Sequence, residues 1–327
     1  MKLADLESLP AFALLGPGFG AGGPLLLTGL RPASGAPRLV FAPYEARGRD
    51  ALAFDADVRD ASPLELPPPA DLVPALEAEG HAAAVEAIRE AIAAGDVYQV
   101  CYTVRARLAP VEGSRLLARM AVRGLPRFAA WVRLPGGPEF VSASPELLFE
   151  IDGTRIRSEP MKGTAGPGTA GALAGSDKDR AELAMITDLV RNDLTPLCRP
   201  RTVRVRAERR FIHLPYAVQT VSDVEGELLP GVGVSEALEA LHPGGSVTGA
   251  PKGAARAMIE RLERTPRGAY CGALAFGGAG RVTASLLIRT ATREAQGWTY
   301  GVGGAVVHDS DATREIEEVR LKLGALI

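Results

Sequence analysis

Residues 144–164, SPELLFEIDGTRIRSEPMKGT, carry the clearest local fold signal in the chain. Two strand-like runs, residues 147–151 and 154–158, flank the dipeptide Asp152-Gly153. This dipeptide favours a two-residue hairpin turn, because both turn positions need a positive φ angle. The pattern therefore predicts an antiparallel pair of strands at the centre of the chain.

Glu146 and Lys162 both lie at the open end of this predicted hairpin, where a carboxyl group and an amine would meet. For an arbitrary pair of this kind, a surface ion pair is the ordinary interpretation. Here Lys162 is followed by a glycine-rich loop, residues 163–168, with little side-chain bulk to keep a small ligand from the backbone. The alternative interpretation is that Lys162 acts as a nucleophile, and the local pattern leaves both open.

The composition describes a chain without a strong overall charge. It has 327 residues, with 37 Lys and Arg against 39 Asp and Glu. This balance provides no field that draws the whole protein to nucleic acid or to a membrane, and no apolar run reaches membrane-spanning length. Three separate cysteines, Cys101, Cys198 and Cys271, predict a reducing, cytoplasmic setting. Four scattered histidines cannot build a zinc site, so a metal would need carboxylate ligands.

The first 80 residues differ in character from the rest. Short apolar runs separated by prolines predict strands and loops there, with no visible chemistry. From residue 81 the pattern is helical until Gly95, and a strand is predicted over residues 97–108. Gln99 lies on the face of this strand opposite its apolar stripe. We therefore divide the chain into residues 1–80 and residues 81–327.

Glu182 and Glu318 lie on two predicted helices. Ser176 begins a capping box, and Glu182 lies beside the apolar stripe that follows it. Glu182 is either a solvated carboxylate or a ligand at the edge of the core, and the spacing alone favours the solvated one. The last helix, predicted from about residue 310 to 326, places Glu318 and Lys322 four residues apart, which by default is a surface pair.

Two further features indicate a local anion site. Residues 242–252, HPGGSVTGAPK, form a glycine-rich loop that opens onto a helix, where free amides and Lys252 can hold an anion. A strand predicted over residues 281–290 contains Arg289 in an apolar run, and a buried arginine needs a carboxylate from the protein or from a ligand. The basic run of residues 199–210 has no interleaved aromatic residues and is predicted to be an exposed edge strand.

Taken together, these stretches resemble the chorismate-utilising enzymes. The shared segments occur in the family's order: GDVYQV, SPELL, PMKGT, SDKDRAELAMITDLVRNDL, PGGSVTGAPK, RGAYCGAL, IRT and EIEEVRLK. The resemblance implies an α/β (α+β) fold of two similar halves, with large, mostly antiparallel sheets packed face to face and helices outside. It also implies that residues 81–327 are the chorismate-binding catalytic domain and that residues 1–80 are a shortened N-terminal part of the same fold.

Within this family, three positions separate the reactions. Relatives that make isochorismate carry a lysine where this chain has Gln99, and anthranilate synthases carry Ala in place of Lys162 and usually Thr in place of Ser246. The resemblance therefore implies amination of chorismate at C4, in p-aminobenzoate and folate biosynthesis, with ammonia from a separate glutamine amidotransferase subunit. The alternatives are anthranilate synthase component I and a catalytically inactive chorismate- or partner-binding homologue.

The resemblance also implies roles for individual residues. Lys162 would form a covalent bond to chorismate, Glu146 would be general acid and base, and Glu182 and Glu318 match the family's Mg²⁺ ligands. The positions that match substrate-binding residues are Gln99, Thr164, Gly249, Ala250, Lys252, Tyr270, Arg289, Gly303 and Gly304. Gln219 stands where many relatives have a proton-transferring histidine, so elimination of pyruvate should suffer most.

Overall fold

A computed structural model of the chain describes all residues except 21, 48–49, 167–170, 172–173, 215–216, 279, 325 and 327, and all side chains of the described residues except 164, 178, 214, 217 and 324. Its strands are β1 (Phe12–Leu15), β2 (Leu25–Pro32), β3 (Leu39–Ala42), β4 (Leu52–Asp60), β5 (Ala75–Glu77), β6 (Gln99–Leu108), β7 (Phe128–Arg133), β8 (Glu139–Ser144), β9 (Leu147–Asp152), β10 (Arg155–Ser158), β11 (Met161–Ala165), β12 (Arg204–Leu214), β13 (Ala217–Glu227), β14 (Gly249–Ala250), β15 (Ala273–Gly278), β16 (Arg281–Leu286), β17 (Thr290–Glu294) and β18 (Gly297–Val306). Its helices are α1 (His81–Ala93), α2 (Gly113–Met120), α3 (Asp177–Leu194), α4 (Val234–Leu241), α5 (Gly245–Thr248), α6 (Lys252–Leu262) and α7 (Ala312–Gly324).

The strands form one antiparallel ribbon. From end to end its order is β5, β6, β18, β17, β8, β7, β1, β2, β4, β3, β15, β16, β9, β10, β13 and β12. The short strands β14 and β11 pair with β6 and β13. One contiguous core contains Trp131 and Val141 from the first half of the ribbon and Phe149 and Ala284 from the second. The predicted fold, two antiparallel halves with helices outside, is confirmed.

The N-terminal strands join the two halves. Strand β1 pairs with β7 in the first half, and β3 pairs with β15 in the second. The short strands predicted for residues 1–80 are therefore present and belong to the same sheet, while the domain boundary at residue 80 stays a prediction. None of the helices in the described part of the chain is long and apolar enough to cross a membrane.

The central hairpin forms, but its turn lies one residue later than predicted. Asp152 pairs with Arg155, so Gly153 and Thr154 occupy the turn. Gly153 has a φ angle of 59°, and the turn needs a positive φ only at this position. A glycine at the first of two turn positions suits a type II′ hairpin. Asp152 remains in the sheet because it also pairs with Arg281 of the neighbouring strand β16.

The strand predicted over residues 281–290 is in fact two strands. Strand β16 lies in the second half of the ribbon and β17 in the first, so residues 287–289 cross between the halves. Arg289 adopts a positive φ angle of 52°, which breaks the extended backbone. The apolar run looked continuous in sequence because both strands are buried.

Several local predictions are confirmed. Ser176 is the N-cap of α3, and its side chain accepts a hydrogen bond from the Asp179 amide at 3.1 Å. Helix α1 ends at Ala93, before Gly95 with its φ angle of 82°. Within the described residues, strand β12 pairs only with β13, as expected of the edge strand predicted from the basic run.

Candidate functional site

The site lies where the chain crosses twice between the halves of the ribbon. Glu146 follows β8 and precedes β9, and Arg289 lies between β16 and β17. Each crossing is hydrogen-bonded to the strand that leads into the other: the Ser285 hydroxyl of β16 donates to the Glu146 carbonyl at 3.1 Å, and the Ala143 amide of β8 donates to the Arg289 carbonyl at 3.0 Å. These bonds bring Glu146 and Arg289 together although they are remote in sequence.

Glu146 has the properties of a general acid and base. Its side chain is buried, and the Ser246 hydroxyl donates a hydrogen bond to its Oε1 at 2.9 Å. Burial raises the pKa of Glu146 to about 7, while the Ser246 hydrogen bond and the charges of Lys162 and Arg289 oppose that rise. A carboxyl group with this pKa holds and releases a proton near neutral pH.

Lys162 lies on a strand, and residues 163–165 of the predicted glycine-rich loop belong to the same strand. It belongs to β11, which pairs with β13, and the ladder shifts between Lys162 and Thr164 around Gly163, whose φ angle is 78°. This bulge turns the local backbone. The Thr220 hydroxyl donates to the Lys162 carbonyl. Residues 167–168 of the predicted loop lie outside the described residues.

The Lys162 ammonium pairs with a different carboxylate from the one expected. Its Nζ lies 3.4 Å from Oε2 of Glu182 on α3, and both side chains are largely buried. The positive charge of Lys162 lowers the pKa of Glu146 against the effect of burial. The Lys162 amine and the carboxyl groups of Glu182 and Glu146 therefore belong to one site. Sequence reasoning missed this contact because Glu182 looked solvated on its helix.

Glu318 lies beside the glycine pair of β18. A Cβ added to Gly304 would come within 3.8 Å of Glu318 Oε1 and 3.7 Å of Lys322 Nζ. Lys322 Nζ lies 2.7 Å from Glu318 Oε1 and donates to the Gly303 carbonyl at 2.8 Å. The predicted ion pair between Glu318 and Lys322 therefore forms, and the Lys322 ammonium also donates a hydrogen bond to strand β18.

The oxygen donors fit a hard divalent cation. Mg²⁺ uses one or two protein carboxylates and keeps several waters or substrate oxygens. Glu182 and Glu318 supply two carboxylates, and each forms an ion pair with a lysine. No cluster of three or more His, Cys, Asp or Glu suited to a metal occurs among the residues described. The carboxylates of Glu182 and Glu318 are of the oxygen type that Mg²⁺ prefers.

Gln99, at the start of β6, has a buried polar group without a hydrogen-bond partner. It is fully buried, and neither its Oε1 nor its Nε2 has a hydrogen-bond partner. Gln99 pairs with Ala250 of β14, and a Cβ added to Gly249 would lie 2.0 Å from the Gln99 carbonyl oxygen. A buried amide without partners is costly, and a polar ligand would satisfy it.

The glycines of β18 let neighbouring segments of the same chain approach this strand closely. A Cβ at Gly303 would lie 2.2 Å from the Tyr102 carbonyl oxygen of β6. The Tyr270 ring lies against Gly301, where an added Cβ would be 2.0 Å from Cδ1. Gly303 and Gly304 keep this part of the sheet free of side chains.

Lys252 and Thr164 are two further residues predicted to bind substrate. Lys252 begins α6, and its Nζ lies 2.6 Å from Asp193 Oδ2 and donates to the Ala240 carbonyl at 3.1 Å. In the structure the Lys252 ammonium is therefore bound to the Asp193 carboxylate. The predicted loop before it contains α5 and β14, with Pro251 as the N-cap of α6. Thr164 lies on β11 opposite Gln219, and its side chain is outside the described set.

Sequence reasoning gave no role to Arg267. This buried arginine binds Glu263 at 2.6 Å and donates to the carbonyls of Cys101 and Val247 at 2.7 and 2.6 Å. It therefore ties β6, α5 and the end of α6 together beneath the site. The only sequence signal was its place at the start of the RGAYCGAL segment.

The chain is similar to several proteins of known activity. A family model described as chorismate binding enzyme matches residues 45–327. Anthranilate synthase component 1 of Haloarcula marismortui is 39% identical over 262 residues, 76% of this chain and 53% of its own length. Aminodeoxychorismate synthase of Streptomyces pristinaespiralis is 40% identical over 253 residues, 73% of this chain and 34% of its own length. The chain thus matches only a third to a half of the length of these relatives.

Solved structures share the architecture. Anthranilate synthase component I of Streptococcus pneumoniae matches with a TM-score of 0.71 and 27% identity, over 81% of this chain and 61% of that one. The menaquinone-specific isochorismate synthase of Escherichia coli matches with a TM-score of 0.77 and 17% identity, over 98% and 89%. At the lower identity the likeness shows the fold alone.

Proposed function

The chain belongs to the chorismate binding enzymes, and on this premise we propose that it aminates chorismate at C4 to give 4-amino-4-deoxychorismate. One observation carries the proposal: a lysine, Lys162, shares its site with Glu146, a buried carboxyl group whose pKa is about 7. A nucleophilic amine and a group that titrates near neutrality are the two components that covalent substitution at an allylic alcohol needs.

The proposed route has two substitution steps. Lys162 attacks C2 of the ring, both conjugated ring double bonds shift, and the C4–O bond breaks while protonated Glu146 gives its proton to the departing hydroxyl. Water leaves, and Glu146 takes the surplus proton from the nitrogen newly bonded to C2. Ammonia then attacks C4, both double bonds shift back, and the C2–N bond breaks as Glu146 protonates the departing Lys162 nitrogen. The carboxylate finally accepts a proton from the new ammonium, and the enolpyruvyl group is retained.

The protonation states explain why both groups are needed. A lysine with a pKa of about 10.4 is neutral only about once in 2,500 molecules at pH 7. A nearby carboxylate can accept its proton when the pair is desolvated, which yields a neutral amine and a neutral acid. Glu146 suits this exchange because burial already favours its protonated form.

Substrate and metal are proposed to bind together beside Gly303 and Gly304 of β18. Gln99, Arg289, Tyr270 and the Gly249 backbone would contact the ring and its two carboxylates. Mg²⁺, held by Glu182 and Glu318, would neutralise the ring carboxylate and help to orient it.

Ammonia is proposed to come from a glutamine amidotransferase partner. All three cysteines of the chain are buried. Burial raises the pKa of Cys198 to about 11 and also raises those of Cys101 and Cys271. A glutaminase needs an accessible thiolate nucleophile, and these thiols do not suit that role.

The second candidate is anthranilate formation, which the similarity to anthranilate synthase component 1 favours. That reaction places nitrogen at C2 and eliminates pyruvate. Lys162 would occupy C2 in the proposed route, and Gln219, a buried residue of β13, has no basic nitrogen for the elimination. Both residues favour amination at C4 without loss of pyruvate.

Product analysis separates the candidates. The protein is incubated with chorismate, Mg²⁺ and an ammonium salt, and the product is identified by mass spectrometry. We expect 4-amino-4-deoxychorismate. Anthranilate would establish the second candidate, isochorismate would indicate addition of water, and no turnover by a folded, chorismate-binding chain would indicate the inactive homologue.

A further inference from the structure

Each of the two proposed metal ligands is held by a lysine. Lys162 Nζ lies 3.4 Å from Glu182 Oε2, with side-chain exposures of 14% and 18%. Lys322 Nζ lies 2.7 Å from Glu318 Oε1, with exposures of 45% and 49%. The first pair is shielded from water, so its attraction is stronger than that of an ordinary surface pair.

The two pairs reach their positions from different elements. Lys322 lies against β18, since it donates to the Gly303 carbonyl and a Cβ added to Gly304 would meet Glu315, Lys322 and Glu318. Lys162 reaches Glu182 of α3 from β11. The charges of both lysines oppose the burial that raises the pKa of the Cys101 thiol on β6, the strand paired with β18.

We propose that Lys162 and Lys322 are internal counter-cations that compete with a divalent metal for Glu182 and Glu318, so that metal binding releases both amines toward the substrate. This inference rests on the proposed function, because it takes the same two glutamates as ligands. It adds an order of events in which the metal enters first and the nucleophile is released second.

The charges explain the competition. A third carboxyl group, that of the buried Glu315, also lies beside Gly304. Glu182 and Glu318 carry two negative charges, and each is paired with one lysine. A divalent cation that binds these carboxylates meets both ammonium groups at short range, so one set of cations must move. Lys322 keeps its hydrogen bond to the Gly303 carbonyl and can turn within it. Lys162 loses its closest acidic partner and faces the region that Glu146 and Arg289 border.

Metal affinity tests the inference without turnover. Mn²⁺ alone is titrated into the full chain, and free Mn²⁺ is measured by electron paramagnetic resonance, since Mn²⁺ shares the oxygen preference of Mg²⁺. We expect Lys162→Met and Lys322→Met each to tighten binding about tenfold, because a competing cation is removed. Lys322 belongs to the half-exposed pair, so Lys322→Met still tests the inference if Lys162→Met does not fold.

A matched control separates competition from a general change in charge. Lys252→Met removes the same charge, but Lys252 pairs with Asp193, eleven residues and about 16 Å of helix beyond Glu182. We expect its affinity for Mn²⁺ to stay within about twofold of the parent. In a Glu182→Gln background, Lys162→Met should give no gain beyond that of this control.

Several results would overturn the inference. These are an unchanged or weaker affinity in both lysine variants, an equal gain in Lys252→Met, a full gain in the Glu182→Gln background, or no Mn²⁺ binding by any chain. Product analysis of the parent protein is independent of these titrations. Normal amination with unchanged metal affinities overturns only the counter-cation role, whereas tightened affinities without amination overturn only the proposed function.

Discussion

Replacing Glu146 by glutamine is expected to stabilise the protein at pH 8 while removing its activity. The carboxyl group is 6% exposed, and burial raises its pKa from 4.5 to about 7. A carboxyl group with a raised pKa favours the folded state only while it is protonated. Its contribution is therefore complete below pH 4.5 and is lost as the pH rises through about 7. Glutamine keeps the shape of the protonated group and has no proton to lose.

The size of the effect follows from the two pKa values. The difference between 4.5 and about 7, at about 1.36 kcal/mol per unit, gives about 3 kcal/mol at pH 8. At pH 5 the same reasoning gives less than about 1 kcal/mol, because pH 5 lies close to the unfolded-state pKa of 4.5. The Ser246 hydroxyl can donate to the glutamine carbonyl oxygen as it does to the carboxylate.

Urea denaturation at the two pH values measures this effect. The free energy of unfolding is determined at pH 5 and pH 8 for the parent, for Glu146→Gln and for Glu260→Gln. Glu260 is exposed on α6, and its replacement should change stability equally at both pH values. The reasoning is refuted if Glu146→Gln is no more stable than the parent at pH 8, or if its advantage is the same at pH 5.

Three further substitutions and one control test the site and the sheet around it. Lys162→Ala is expected to lower amination about 10³-fold or more, measured as initial rates by mass spectrometry, and amination at the parent rate would exclude the covalent route. Glu318→Gln should abolish Mg²⁺-dependent turnover with unchanged circular dichroism, because α7 keeps its apolar face; parent activity at limiting Mg²⁺ would remove Glu318 from the site. Gly249→Ala should lower the free energy of unfolding by about 2–4 kcal/mol, because its Cβ would lie 2.0 Å from the Gln99 carbonyl oxygen at a φ angle of +136°. Gly253→Ala on α6 meets open space and should instead raise stability by up to about 1 kcal/mol; equal losses in the two variants would contradict the steric argument.

Local patterns were sufficient for the elements that depend on neighbours in sequence. The Ser176 cap of α3 formed as predicted, because a cap and its amide are three residues apart. The central hairpin formed with its turn one residue late, since Gly153 alone satisfies a type II′ turn and Asp152 has a second partner in β16. The order of short motifs along the chain was sufficient to indicate the family.

The contacts of the site could not be read from local patterns. Arg289 was predicted inside a strand and instead lies on a crossing, where hydrogen bonds link residues 139 positions apart. Glu182 looked solvated on its helix, yet it holds Lys162. Periodicity reports which face of an element is apolar, and it contains no information on which distant element will cover that face.

The sequence by itself thus determined most of the strands and helices, the family and the identity of the chemical groups, because these depend on residue type and on spacing over a few positions. Only the tertiary structure decided that Glu146 is buried enough to titrate near pH 7 and that Ser246 hydrogen-bonds to it. It also decided which lysine balances which glutamate. Burial and charge pairing depend on distances between remote segments, and those distances are fixed when the two halves of the ribbon close on one core.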